Sequence, residues 1–177
     1  MLSVVAVVLS SAAQAQTSDS ALQANQLFTG SHFSSPFSGL YVGAKAGANV
    51  SDATGRLRQP SHTSFFPGVT VGFGFDAGPI MLGGEAFADF HHGSTTRKDA
   101  GFDGKLGVPI DGRYMPYLRI GATSQWPDSR LHYGFGVEYK ALRSFGVAAE
   151  WTADKSNANG IRRHNNSFTL GVHYYFQ

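Results

Sequence analysis

The chain has 177 residues, enough for one domain; 42% are hydrophobic, 13% aromatic and only 15% charged, and the formal net charge is +2. No apolar run is as long as the ~20 residues a membrane-spanning helix needs, the weak positive charge does not argue for nucleic acid, and the lack of cysteine excludes disulfides and thiolate metal sites. The 22 glycines and 14 phenylalanines are unusual for a soluble domain and suit strands that alternate between hydrocarbon and a crowded interior.

Residues 2–9, Leu-Ser-Val-Val-Ala-Val-Val-Leu, form a short apolar segment, and Ala13-Gln14-Ala15 supplies a small-residue cleavage pattern. Residues 1–15 therefore read as a signal peptide without its basic n-region, with a mature start at Gln16. Residues 16–38 are rich in Ser, Gln and Asn without a period, and read as a mobile periplasmic leader. Residues 39–177 are expected to form the folded domain.

From Gly39 onward the period is two. In a first strand Leu40, Val42, Ala44, Ala46 and Ala48 share a face, opposite Tyr41, Gly43, Lys45, Gly47 and Asn49. The second sets Val69, Val71, Phe73 and Phe75 against Thr70, Gly72 and Gly74. The third sets Leu82, Ala86, Ala88 and Phe90 against Gly83, Glu85, Phe87 and Asp89. The fourth sets Phe102, Leu106 and Val108 against Asp103, Lys105 and Gly107. The fifth sets Leu118, Ile120, Ala122 and Trp126 against Tyr117, Arg119, Gly121 and Thr123. The sixth sets Tyr133, Phe135, Val137 and Tyr139 against His132, Gly134, Gly136 and Glu138. The seventh sets Phe145, Val147, Ala149 and Trp151 against Gly146, Ala148 and Glu150. The eighth sets Phe168, Leu170, Val172, Tyr174 and Phe176 against Thr169, Gly171, His173 and Tyr175.

Ten residues of tilted strand rise about 26 Å, the height of an outer-membrane barrel's apolar band. Short connections at Asp76–Pro79, Ile110–Arg113 and Lys140–Arg143 alternate with longer polar segments at 50–65, 91–100, 127–130 and 154–166. Short periplasmic turns, long outer loops and aromatics at strand ends (Phe90, Trp126, Tyr139, Trp151, Tyr174, Phe176) give the expected class. It is all-β: an eight-stranded antiparallel up-and-down transmembrane β-barrel in the outer membrane of a Gram-negative bacterium, with both termini periplasmic.

Five pieces in order also resemble one family. They are Gly43-Ala44-Lys45 with Gly47; Lys105-Leu106-Gly107-Val108-Pro109-Ile110; Tyr117, Arg119 and Gly121; Gly136-Val137-Glu138-Tyr139; and Leu170-Gly171-Val172 with Tyr174 and Phe176. Together they resemble the transmembrane domain of the OmpA family over about residues 39–176. The resemblance implies insertion by the barrel assembly machinery, reading Thr169, Gly171, Tyr174 and Phe176 as the assembly signal. Read from the residues alone, the eighth strand closes the barrel against the first. The family's peptidoglycan-binding domain is not part of the match. Its seventh-strand lumen arginine corresponds to Ala148 here, which puts its gate in doubt.

Inward parity selects Lys45, Glu85, Lys105, Arg119, Glu138 and Glu150 as an interior salt-bridge network. Such a network either plugs the barrel and fixes register or lines a narrow gated pore. The outer segments carry Arg56, Arg58, Arg97, Lys98, Arg130, Lys155, Arg162 and Arg163 against Asp52, Asp99, Asp128 and Asp154, with His62, His91, His92 and His164. Arg56, Arg58, Arg97, Lys98, Arg162 and Arg163 are candidates for contact with lipopolysaccharide phosphate or another polyanion; a purely solvated rim is the alternative. Adjacent His91 and His92 point to opposite faces of a strand and chelate poorly, so neither a metal nor a cofactor is expected.

Some small barrels modify lipid A, and Asp154-Lys155-Ser156-Asn157 resembles the deacylase motif with its histidine replaced. Ser156 would need His164 to reach back as base. The reading is therefore a monomeric, non-enzymatic envelope protein. Its partners are outer-membrane lipid and lipopolysaccharide, with the assembly machinery during insertion; a narrow pore and a lipid-A-modifying enzyme are the alternatives.

Overall fold

A computed structural model describes residues 35–91, 99–124 and 129–176. Eight strands follow in chain order: β1 (Gly39–Gly55), β2 (Gln59–Ala77), β3 (Ile80–Asp89), β4 (Asp99–Gly107), β5 (Tyr114–Ser124), β6 (Ser129–Leu142), β7 (Phe145–Ala158) and β8 (Ile161–Phe176). Each pairs antiparallel with its neighbour in sequence, and β8 pairs with β1 to close the barrel. The signal-peptide and leader readings for residues 1–34 lie outside the described residues, as do Trp126, His92, Arg97, Lys98 and Asp128.

One row of cross-strand partners fixes the geometry. It runs from Phe65 through Ala48, Phe168, Trp151, Phe135, Leu118, Leu106 and Leu82, and returns to β2 at Phe75, ten residues from its start. With eight strands, that stagger tilts the strands by about 40°. Every side chain in the row points outward and is apolar. Exposed Phe65, Phe102, Leu118, Ile120, Phe135, Phe168 and Leu170 continue this surface, so the outside of the barrel is an apolar belt. The next residue along each strand turns inward, where polar and charged side chains are buried. The pattern is the reverse of a soluble barrel.

Three connections match the turn chemistry. Gly78 (φ 69), Asp111 (φ 51) with Gly112 (φ 62), and Asn159 (φ 54) with Gly160 (φ 75) take left-handed conformations. The Asn159-Gly160 pair corrects the sequence reading. Segments 50–65 and 154–166 are not long loops: β1 runs on to Gly55, β2 starts at Gln59, and β7 and β8 are joined by two residues. Arg130, read as part of a loop, stands in β6. Past the apolar belt these strands meet water on their outer face, so hydrophobic alternation stops while backbone pairing continues. β7, β8, β1 and β2 thus extend the wall beyond the belt on one side, and the Arg56 N–H donates to the Gly160 carbonyl across the two hairpin tips at 3.1 Å.

The interior is filled by large side chains facing glycines. Gly72 has no room for a Cβ because the Tyr41 ring lies against it, and Gly136 is covered in the same way by Tyr117. Both are close-approach positions, and they explain part of the high glycine content.

Candidate functional site

The candidate site is the lumen, which is stacked in tiers. At the end of the barrel that carries the short turns, Phe37 is fully buried against Met81, Met115 and Tyr117. It sits in a turn in which the Ser38 N–H and hydroxyl donate to the Ser35 carbonyl, pinned where the Ser35 N–H donates to Asp76 at 2.7 Å. The last residues assigned by sequence to a leader therefore cap this mouth. The Lys140 ammonium lies over the Phe37 and Tyr175 rings.

Above this floor, Glu138 accepts from Tyr175 at 2.8 Å and contacts His173 Nδ1 at 3.0 Å. The Tyr41 hydroxyl donates to Glu85 at 2.6 Å, and the Lys105 ammonium bridges both at 3.2 Å.

The central tier is built around Arg119, whose side chain is sealed from solvent. Its guanidinium reaches Glu85 at 3.0 Å, Asp103 at 2.7 Å and Glu150 at 2.9 Å. Tyr117 and Thr169 also donate to Glu150, at 2.5 and 3.3 Å, and His132 Nδ1 meets Asp103 at 2.7 Å. Six strands, β3 to β8, thus converge on one set of charges. Lys45 stands apart, pairing with Asp89 at 3.1 Å. Ala148 is buried and offers no charge, so Glu85 takes its cations from β4 and β5 instead.

The tier nearest the far mouth is built from polar segments that the sequence alone presents as loops. Arg130 contacts Asp99 at 3.0 Å and Asp154 at 3.6 Å, and Asn165 donates to Asp154 at 2.8 Å. Arg130 is 3% exposed, which removes it from the rim cations. His91, just past β3, packs on Phe66 with ring centroids 4.1 Å apart. Burial, aided by the Arg130 and Lys45 charges, lowers its pKa to about 4.

Several partners escaped the sequence reading although parity points them inward: Asp103, Asp89, Tyr41, Tyr117, Tyr175, His132 and His173. A rule that took every polar inward residue, and not only Lys, Arg and Glu, would have found them. Of the proposed assembly signal, Thr169 and Gly171 face the lumen, while Tyr174 and Phe176 stand on the outer belt.

The described rim cations divide between the two faces of the extended wall. Arg56, Arg58 and Arg162 are exposed, whereas Arg163 points the other way beside Ser156. His164 pairs with Lys155 and contacts Asp52 at 3.6 Å. Ser156 and His164 therefore project from opposite faces, and His164 is not placed to serve Ser156 as a base. Among the described residues no group of three or more metal-ligating side chains is assembled.

No protein-family model matches the chain, and no curated protein matches it in sequence. Solved structures share its architecture. Neisserial surface protein A superposes with a TM-score of 0.51 at 16% identity, over 78% of this chain and 98% of that one. Ail, the attachment invasion locus protein of Yersinia pestis, gives 0.45 at 13% identity over 77% and 99%, and the outer membrane enzyme PagL gives 0.46 at 12% over 75% and 99%. At 16% identity the likeness to Neisserial surface protein A is one of fold alone; by its own strand pairing this chain is an all-β, eight-stranded, closed antiparallel barrel, as the alternation in its sequence leads one to expect.

Proposed function

We propose that this chain is an integral outer-membrane barrel that supports the cell envelope, non-enzymatic and monomeric, with its lumen closed. The observation that carries the reading is the inverted distribution of polarity. An unbroken outward row from Phe65 to Phe75 is apolar, while Arg119 and its three carboxylate partners are buried inside. Hydrocarbon outside and a satisfied polar interior is the arrangement a bilayer demands, because a closed barrel leaves no backbone edge in lipid. The tight turns then face the periplasm together with both termini, and the extended wall faces outward.

Within this class the ordered motifs from Gly43 to Phe176 support an OmpA-like transmembrane domain. Thr169, Gly171, Tyr174 and Phe176 then act as the signal for the assembly machinery. Exposed Arg56, Arg58 and Arg162 favour contact with lipopolysaccharide phosphates, which guanidinium groups grip bidentately. Arg97 and Lys98 belong to the same reading. The test is membrane fractionation combined with gel migration before and after boiling. A folded barrel in the outer-membrane fraction should migrate differently once boiled; a freely soluble protein without this shift would overturn the proposal. The pore alternative is checked in planar bilayers, where the wild-type barrel should be silent.

A further inference from the structure

We infer that the periplasmic rim carries a seat for the phosphodiester headgroup of an anionic glycerophospholipid. This rests on the membrane reading above and on the short turns facing the periplasmic leaflet. The cleft at this end is lined by Arg113 and Arg143 from two neighbouring turns and by Lys140 between them; among the described residues no aspartate or glutamate lines it. The two elements are tied together where the Lys140 N–H donates to the Arg113 carbonyl at 2.8 Å. Among the described residues, Asp76 accepts from the Ser35 N–H, Glu138 is held in the lumen by Tyr175 and His173 and acts on Lys140 from there, and Asp111, in the same turn as Arg113, does not line the cleft. The Lys140 ammonium, under the floor on the Phe37 and Tyr175 rings, has no hydrogen-bond partner among the described residues and adds its positive field from below.

The same cleft is bordered by Tyr139, Leu142 and Phe176, which are 39%, 66% and 51% exposed and continue into the outer apolar belt. A ligand that satisfies both parts has a negative head at the barrel end and hydrocarbon running up its side. Inorganic phosphate would use only the cations. Guanidinium groups bind phosphate oxygens in pairs, and an aromatic-cationic border is where a headgroup meets the acyl region.

The test uses the full chain and an Arg113→Gln/Arg143→Gln variant, both folded in neutral phosphatidylcholine and read by native mass spectrometry with added phosphatidylglycerol. Wild type should retain phosphatidylglycerol in preference to phosphatidylcholine, and the variant should lose roughly a factor of ten of that preference. Equal retention of the two lipids by wild type, or an undiminished preference in the variant, would overturn the seat. Displacement by inorganic phosphate alone would make it a free-anion site and overturn the lipid assignment. Folding is read separately from gel migration in neutral lipid. A wild-type barrel that never inserts would overturn the membrane reading and the seat with it, whereas an inserted barrel without preference overturns the seat alone.

Discussion

The Arg119 guanidinium donates through Nη1 to both carboxylate oxygens of Glu150 at 2.9 Å, across the interior from β5 to β7. The same side chain holds Glu85 and Asp103, so one cation serves three buried acids, of which Glu85 also has Lys105. Arg119→Met should therefore destabilise the barrel by about 3–5 kcal/mol, because unpaired carboxylates are left out of water. Adding Glu85→Gln and Glu150→Gln to that variant should recover part of the loss. Urea unfolding in detergent micelles, followed by tryptophan fluorescence, checks both. A midpoint unchanged by Arg119→Met would mean that the charges do not depend on one another.

Gly72→Ala tests interior packing. The new methyl group meets the Tyr41 ring, whose hydroxyl holds Glu85. The expected cost is about 1–3 kcal/mol, the range for overfilling a packed interior. In a Tyr41→Ala background the same substitution should cost much less, since the obstructing ring is gone. Equal costs in the two backgrounds would argue against this contact.

Phe37→Ala should open the mouth at the short-turn end without opening the barrel. The ring is fully buried, but it belongs to a turn held by few hydrogen bonds and not to the strand ladder. Lys140, 6% exposed and covered by that ring, should become reactive to a water-soluble amine reagent while the heat-dependent gel shift persists. Mass mapping of the labelled lysine is the measurement. Protection of Lys140 in the variant would show that something other than Phe37 covers it.

His91 gives a pH dependence of defined sign. Its folded pKa, lowered to about 4, lies below its ordinary value of 6.5, so the folded state favours the neutral ring. The stability that depends on this neutrality is complete above pH 6.5 and falls as pH drops from 6.5 towards about 4, because the unfolded chain takes up the proton first. His91→Phe should flatten that part of the profile. Unfolding curves collected across this window, with and without the substitution, provide the comparison.

Arg162 and Arg163 separate rim contact from general charge. They follow one another in β8 and project to opposite faces, with Arg162 exposed outward. Arg162→Gln should lower co-purification with lipopolysaccharide severalfold, and Arg163→Gln should lower it less. Equal losses would reduce the effect to net charge.

The faces of the strands were legible because hydrocarbon imposes the alternation that the sequence displays. Leu118, Ile120 and Ala122 in β5 have only one way to face, and their neighbours Arg119 and Gly121 follow. The upper halves of β1, β2, β7 and β8 were not legible, since no apolar solvent reaches Asp52, Thr63, Lys155 or His164 on the outer face. Only the Asn159-Gly160 pair signalled that a hairpin continued there. Partnerships inside the lumen were also hidden. Arg119 meets Glu150 because of the stagger around the ring, and a stagger is a property of all eight strands together, written in no single one. Arg130 shows the same limit: a charged residue in a polar stretch looks like rim, and burial came from the height of the wall around it.

The seam between β1 and β8 runs unbroken from Leu40 opposite Phe176 to Gly55 opposite Ile161. It joins the first strand of the domain to the last, so it is the pairing with the greatest separation along the chain and the one that must form after the others are available. Until it forms, two bare strand margins remain and the central charges lack part of their enclosure. Once it forms, peeling the cylinder apart requires a long ladder to separate nearly at once. Endurance in such a molecule is therefore governed by the height of the barrier to reopening, and a shortened β8 would shorten the protein's lifetime far more than its residue count suggests.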